Sequence, residues 1–224
     1  MLKSLIDRYR RRRFAWLLFF LLVTIGAHSA FDGLGFRFHP LQALLALNLL
    51  AAIGTIPGRR GTRAFLVLGG AFVALQGLRA AFGGEAMFHL SEGAWVSASL
   101  LATAATARQA LRRGPVDGER IAAALDAYLL GGLVFGVCFW VLGHAWPGSF
   151  RGVPDSGLDL GAAIYFSFVT IATLGYGDVV PASEAARGLA ILEAVGGQMY
   201  LAVLVARLVS LYAAPAAKEA RPGD

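Results

Sequence analysis

The stretch IATLGYGDVVP, residues 171–181, governs how the whole chain reads. Gly175 and Gly177 flank a tyrosine, Asp178 follows, and Pro181 closes the stretch, all between apolar segments. The apolar run before it, 159–172, has about 14 residues and as a helix is about 21 Å long. A bilayer's hydrocarbon core is roughly 30 Å thick, so such a helix cannot cross it and must enter and turn back. Asp159, with Ser156 three residues earlier, suits the start of that helix. Non-helical backbone survives at that depth only where it is buried in protein or lines a watery cavity. Residues 173–177 are therefore expected to line a path for something polar.

The rest of the chain fits a membrane setting. Of its 224 residues 57% are hydrophobic and 15% charged, in apolar blocks separated by arginine clusters and not in amphipathic stripes. Six blocks are about long enough to span: roughly 14–30, 41–57, 64–82, 88–107, 121–146 and 185–212. The expected fold is an all-α membrane protein with six transmembrane helices plus a re-entrant pore helix and its loop. The net charge of +6 sits at helix ends, which argues against a nucleic-acid partner. Cys138 is the single cysteine, excluding an internal disulfide and a cysteine metal site. No nucleophile–base pair or metal-ligand cluster appears, so an enzyme is not expected. The first apolar run lacks a convincing cleavage site and reads as a retained helix.

Sixteen of the twenty Lys/Arg residues lie in 1–13, 57–63, 108–120 and 207–224, on alternate loops. By the positive-inside rule both termini are cytoplasmic and 147–184 is on the outer side. The basic arm at 8–13 enforces that topology and also attracts anionic lipid head groups. Four domains follow: a four-helix transmembrane part (1–110), a cytoplasmic linker (111–120), a pore part (121–212) and a disordered cytoplasmic tail (213–224).

Glycine at alternate positions of Thr173-Leu174-Gly175-Tyr176-Gly177 allows φ > 0, so that successive carbonyls can point one way. Aligned carbonyls are ligands for a dehydrated cation, and the Thr173 hydroxyl adds a further oxygen. The short helix turns its partially negative C-terminal end toward the membrane centre, which favours a cation there.

TLGYGD (173–178) resembles the selectivity-filter signature of potassium channels, with Leu174 where valine is usual. YLLGGLVFGVCFWVL (128–142), IYFSFVTIATLGYGDVVP (164–181) and ILEAVGGQMYLAVLVARLVSLY (191–212) are similar to the pore half of bacterial six-helix potassium channels with a two-helix ion-channel domain. The resemblance covers 121–212 and implies a homotetramer in a bacterial inner membrane that conducts K⁺ passively. The implied K⁺ ligands are the carbonyls of Thr173, Leu174, Gly175 and Tyr176, with Gly177 closing the filter. No other cofactor is expected.

The resemblance also implies that Asp178 hydrogen-bonds behind the filter to an aromatic residue of the pore helix, here Tyr165. A solvated charge at the mouth that concentrates cations is the plainer role, and the two can coexist. Val169 stands where the family often has a glutamate, so the bracing should be thinner. Gly197, twenty residues after Gly177, occupies the place of the family's inner-helix hinge, and Gly196 could share it. The family's pattern turns Ala194, Gln198, Leu201 and Val205 toward the ion cavity. Glu193, Gly197, Tyr200 and Leu204 form the next stripe. Glu193 is an intramembrane carboxylate, a functional candidate by default. Bracing the last helix against the pore helix and attracting cations directly are its two readings. Gly132 and Gly136 have the GxxxG spacing of close helix packing. Asn48 and Gln76 are candidates for interhelical hydrogen bonds.

Voltage sensing needs several basic residues within a helix, and 88–107 contains none, while Arg79 stands alone in the third helix. Only weak voltage dependence is expected. About a dozen residues follow 212, so no regulatory domain after the pore is expected. Two other functions remain open: an ion-translocating subunit of a potassium transporter, and a non-conducting regulatory channel subunit.

Overall fold

The computed structural model describes residues 12–32, 85–112 and 117–219, with individual residues between 44 and 78. Among the described residues five helices and a short ribbon follow one another: α1 (Arg13–Asp32), α2 (Glu85–Ala110), α3 (Gly118–Ala145), β1 (Phe150–Arg151), α4 (Leu160–Ile171), β2 (Val180–Pro181) and α5 (Glu184–Glu219). Among the described residues two helices are long and apolar enough to cross a membrane: α3, and α5 over Glu184–Ser210. The helices expected at 41–57 and 64–82 fall mostly outside the described residues, as do Gln76, Arg79 and the basic arm before Arg12. The residues described there, Leu45, Asn48 and Ala51 among them, are helical.

α3 is the hub. Asp117 caps its start by accepting from Arg120 N at 3.0 Å. Its mean composition is apolar all round, as suits a helix with neighbours on several sides. Leu130, Leu133 and Val137 of α3 form one core with Leu17 and Leu21 of α1, Trp95, Ala98 and Ala102 of α2, and Ile164 of α4. Glu119 on α3 accepts from the free N–H groups of Phe14 (3.1 Å) and Ala15 (3.4 Å), which caps α1 from a distant part of the chain. Asn48 donates to Thr24 Oγ1, an interhelical bond of the kind expected of it. Against the glycines, α4 lies close: a methyl at Gly132 would come within 2.9 Å of Phe168 Cε1, and one at Gly136 within 2.8 Å of Ile164 Cα.

The described residues are mostly helical, with one short ribbon besides: β1 and β2 pair antiparallel, Phe150 opposite Pro181 and Arg151 opposite Val180. Two-residue strands carry no periodic signal, and their pairing joins segments some thirty residues apart. Helix α5 runs on through Pro215 as far as Glu219, past the end at 212 expected for the last span.

Candidate functional site

α4 is set at half depth by its ends. Asp159 begins it, accepting from Ala162 N at 2.8 Å. Its 12 residues reach about 18 Å. At its far end the Ile171 carbonyl, which has no partner inside the helix, accepts from Tyr128 Oη at 3.0 Å and Gln198 Nε2 at 3.3 Å. Tyr128 is ten residues into α3 and seventeen from its end, so α4 stops about 15 Å from one end of α3 and about 25 Å from the other. Gly197 of α5 meets the same point: a methyl there would lie 2.5 Å from Ile171 Cγ1.

From this point the backbone leaves the helix. Leu174 N donates to Val169 O at 2.9 Å, folding the chain back over the last turn. Thr173, Gly175 and Gly177 then have φ of 59°, 60° and 79°, while Leu174 and Tyr176 are not in the positive region. Positive φ at every second residue is the backbone pattern that lets successive carbonyls of 173–177 point one way. The two glycines adopt this conformation freely, and Thr173 does so against its Cβ. All five residues are exposed in the single chain.

Beyond the row, Tyr165 Oη donates to Asp178 Oδ2 at 2.7 Å. That bond holds the Asp178 carboxyl below the usual carboxylate range. Asp178 is also reached from the other side. Gly152, at φ 80°, is so close to the Asp178 carbonyl that any Cβ would overlap it. The ribbon β1–β2 and the bond from Ala182 N to Ser149 O, 2.7 Å, fasten this loop to the segment after α3. Underneath, Phe139, Phe150 and Phe166 pack edge to face with ring centroids 4.8–5.9 Å apart.

On α5, Glu193 is fully buried and is hydrogen-bonded to Ser167 of α4, the half-depth helix it faces. Gly197 is buried on the same stripe, and Tyr200 Oη donates to Ala124 O of α3 at 2.8 Å. Of the stripe expected to face a cavity, Ala194 and Leu201 are half-buried and Val205 is exposed. Gln198 is exposed as a residue while its amide reaches Ile171. Gly196 has open space around it.

A half-depth helix, a turned-back carbonyl row and two flanking apolar helices form the site. Residues 123–214 match the ion channel family model. This match covers α3 from Ala123, α4, the carbonyl row and most of α5. Over 83 residues the chain is 35% identical to the two pore potassium channel c of Oryza sativa subsp. japonica, an alignment that takes in 37% of this chain and 18% of that protein. The chain thus spans less than a fifth of that relative's length. No solved structure matches.

Several residues of the ion channel match escaped sequence reasoning. Ser167 is a lone hydroxyl in an apolar half-helix, a signal that could have marked it. Gly152 sits in a loop where glycine is unremarkable. Tyr128 and its bond to Ile171 span 43 positions, and nothing local announces the pairing.

Proposed function

We propose that the chain is one subunit of a potassium-selective channel that conducts passively. The observation that carries this is the alternating φ sign over Thr173–Gly177 at the tip of a helix that stops half-way. A row of carbonyls replaces the water around a cation, and the carbonyl end of α4 adds a negative potential behind it. The complete Gly-Tyr-Gly, and a relative whose name is a potassium channel, support K⁺ as the ion.

One chain supplies one row, so a closed ring of ligands needs several copies, and a homotetramer is the arrangement proposed. The bareness of α5 supports it: Ile191, Leu192, Val195, Met199 and Val203 are all more than half exposed in the single chain. The Lys/Arg distribution supports cytoplasmic termini, and the resemblance of the pore half supports a bacterial inner membrane. Voltage dependence is weak in this proposal, because α2 has no Lys or Arg before Arg108 and each charge crossing the field contributes only about 2.3 kcal/mol per 100 mV.

The test is the reversal potential of the purified protein in a planar bilayer with K⁺ on one side and Na⁺ on the other. A strong K⁺ preference is expected, and Gly175→Ala should abolish it, since a Cβ penalises the φ of 60° by about 1–2 kcal/mol per subunit. A protein that conducts K⁺ and Na⁺ alike would overturn the proposal. So would one that carries no current although it is assembled.

A further inference from the structure

Three helices meet at Ser167. Its Oγ lies 2.6 Å from the carbonyl oxygen of Gly132 on α3 and is hydrogen-bonded to Glu193 Oε1 on α5. Both Ser167 and Glu193 have no exposed surface. The approach is possible because position 132 has no side chain, so that Phe168 and Ser167 of α4 come down onto the α3 backbone.

Proton counting constrains this contact. A serine hydroxyl carries one hydrogen, a backbone carbonyl accepts only, and an ionised carboxylate accepts only. If Glu193 were ionised, one hydrogen would have to serve two acceptors. Given to Glu193, it would leave two oxygens 2.6 Å apart at Gly132 with no hydrogen between them. Both bonds form together only if a second proton is present, and Glu193 is the group that can bring it. The other carboxyl oxygen agrees: Glu193 Oε2 is buried and has no hydrogen-bond partner. A charge left bare in that place would be costly.

Among the described residues, the three helices that meet here place no cation beside it. α4 has no Lys or Arg, α3 has none after Arg120, and α5 has none between Arg187 and Arg207. Arg187 is paired with Glu184 at 2.8 Å. The titratable groups of α3 within electrostatic reach of Glu193 are Tyr128 and Cys138, neither of which is a cation. Tyr165, the one titratable group on α4, is engaged by Asp178.

We propose that Glu193 is a neutral carboxylic acid that donates its proton to Ser167 Oγ, and that Ser167 in turn donates to the Gly132 carbonyl. This chain of two bonds ties α5, α4 and α3 at one buried point, one helical turn before Gly197. Glu193 is then a positioning residue, and it contributes no fixed charge to the ion path. The protonation state stands without the channel reading; the consequence for ion flow rests on that reading.

The experiment is infrared difference spectroscopy of the purified, membrane-reconstituted protein at neutral pH. Subtracting Glu193→Gln from the native protein should reveal the loss of one carboxylic-acid C=O band per chain. Asp126, also buried with unpartnered oxygens, contributes equally to both samples and cancels, and Asp126→Asn serves as the control. In Ser167→Ala the Glu193 band should remain and move to higher frequency, because the acid has lost its acceptor. Loss of carboxylate bands alone in the Glu193→Gln difference would overturn the proposal. An acid band that does not move in Ser167→Ala would overturn it too, and that arm decides the matter if Glu193→Gln fails to fold. None of these readings requires a current, so a failed conduction experiment leaves them intact. If the protein conducts, Glu193→Gln should keep its conductance at low salt, since the amide also offers a donor to Ser167.

Discussion

Among the described residues α3 and α5 are the two helices fit to cross a membrane, with nearly equal mean hydropathy of 1.9 and 1.8, yet 61% of the α3 window is buried inside the chain and only 11% of the α5 window. The same composition has met two different surroundings. α3 spends its apolar surface on α1, α2 and α4, and its glycines let the half-depth helix approach. α5 touches its own chain through one stripe that runs from Ala186 past Glu193, Gly197 and Tyr200 to Leu204, with the Gln198 amide beside it. Its other faces are exposed in the single chain, the surface that the proposed assembly and the membrane would cover. In a membrane, lipid tails are as apolar as leucine, so an exposed apolar face is no liability; association there depends on close packing and on polar contacts. The contacts of α5 are of that kind: a carboxyl group, a glycine and a tyrosine hydroxyl.

The contrast can be attacked where it is strongest. Gly136→Val places a branched side chain against the Ile164 backbone, which cannot give way, and should cost about 3 kcal/mol or more. The expected result is a large drop in thermal stability in detergent; a stability close to native would mean that α4 does not rest on α3. Leu133→Ala opens a cavity in the core of α3. Lipid and not water is the reference, so the cavity part of the usual cost remains, roughly 1–3 kcal/mol. The matching change on α5, Leu192→Ala at a side chain 66% exposed, should cost under about 0.5 kcal/mol within one chain. A loss at Leu192 equal to that at Leu133, read by the oligomer fraction on gel filtration, would mean that a second copy covers this face.

Neighbouring glycines on α5 sharpen the comparison further. Gly197→Ala pushes on Ile171, whereas Gly196→Ala has open space and gains up to about 1 kcal/mol of helix propensity. Melting temperatures of the two variants should therefore move in opposite directions, and movement in the same direction would refute the contact stripe.

The smallest effect is expected at the exposed end. The Asp178 carboxyl is held below its ordinary range by Tyr165. A group whose folded value is lowered contributes stability above the unfolded carboxylate range and loses it as pH falls through the folded value. Stability should thus weaken with acidification below about pH 4. Tyr165→Phe should reduce that acid-dependent part while leaving neutral-pH melting nearly unchanged. An identical acid profile in the variant would show that the bond does not set it.

The sequence alone determined what length and local chemistry can dictate. A run too short to span, Asp159 at its start and glycines at 175 and 177 marked the half-depth helix and the turn beyond it. α1 to α4 begin and end within three residues of the expected spans. These features rest on rise per residue, capping and backbone freedom, which act over a few neighbouring positions.

Tertiary structure decided the rest. That Thr173 joins the glycines at positive φ follows from how the chain folds back on Val169, not from threonine's own preference. The place of Gly152 against the Asp178 carbonyl depends on a ribbon formed from two distant loops. Glu193 had two readings on the stripe pattern, and only the packing of α5 on α4 turned it onto Ser167. Gly132, Ser167 and Glu193 are separated by 35 and 26 positions. Periodicity can name the face each residue occupies, but which faces meet is fixed by the simultaneous packing of three helices.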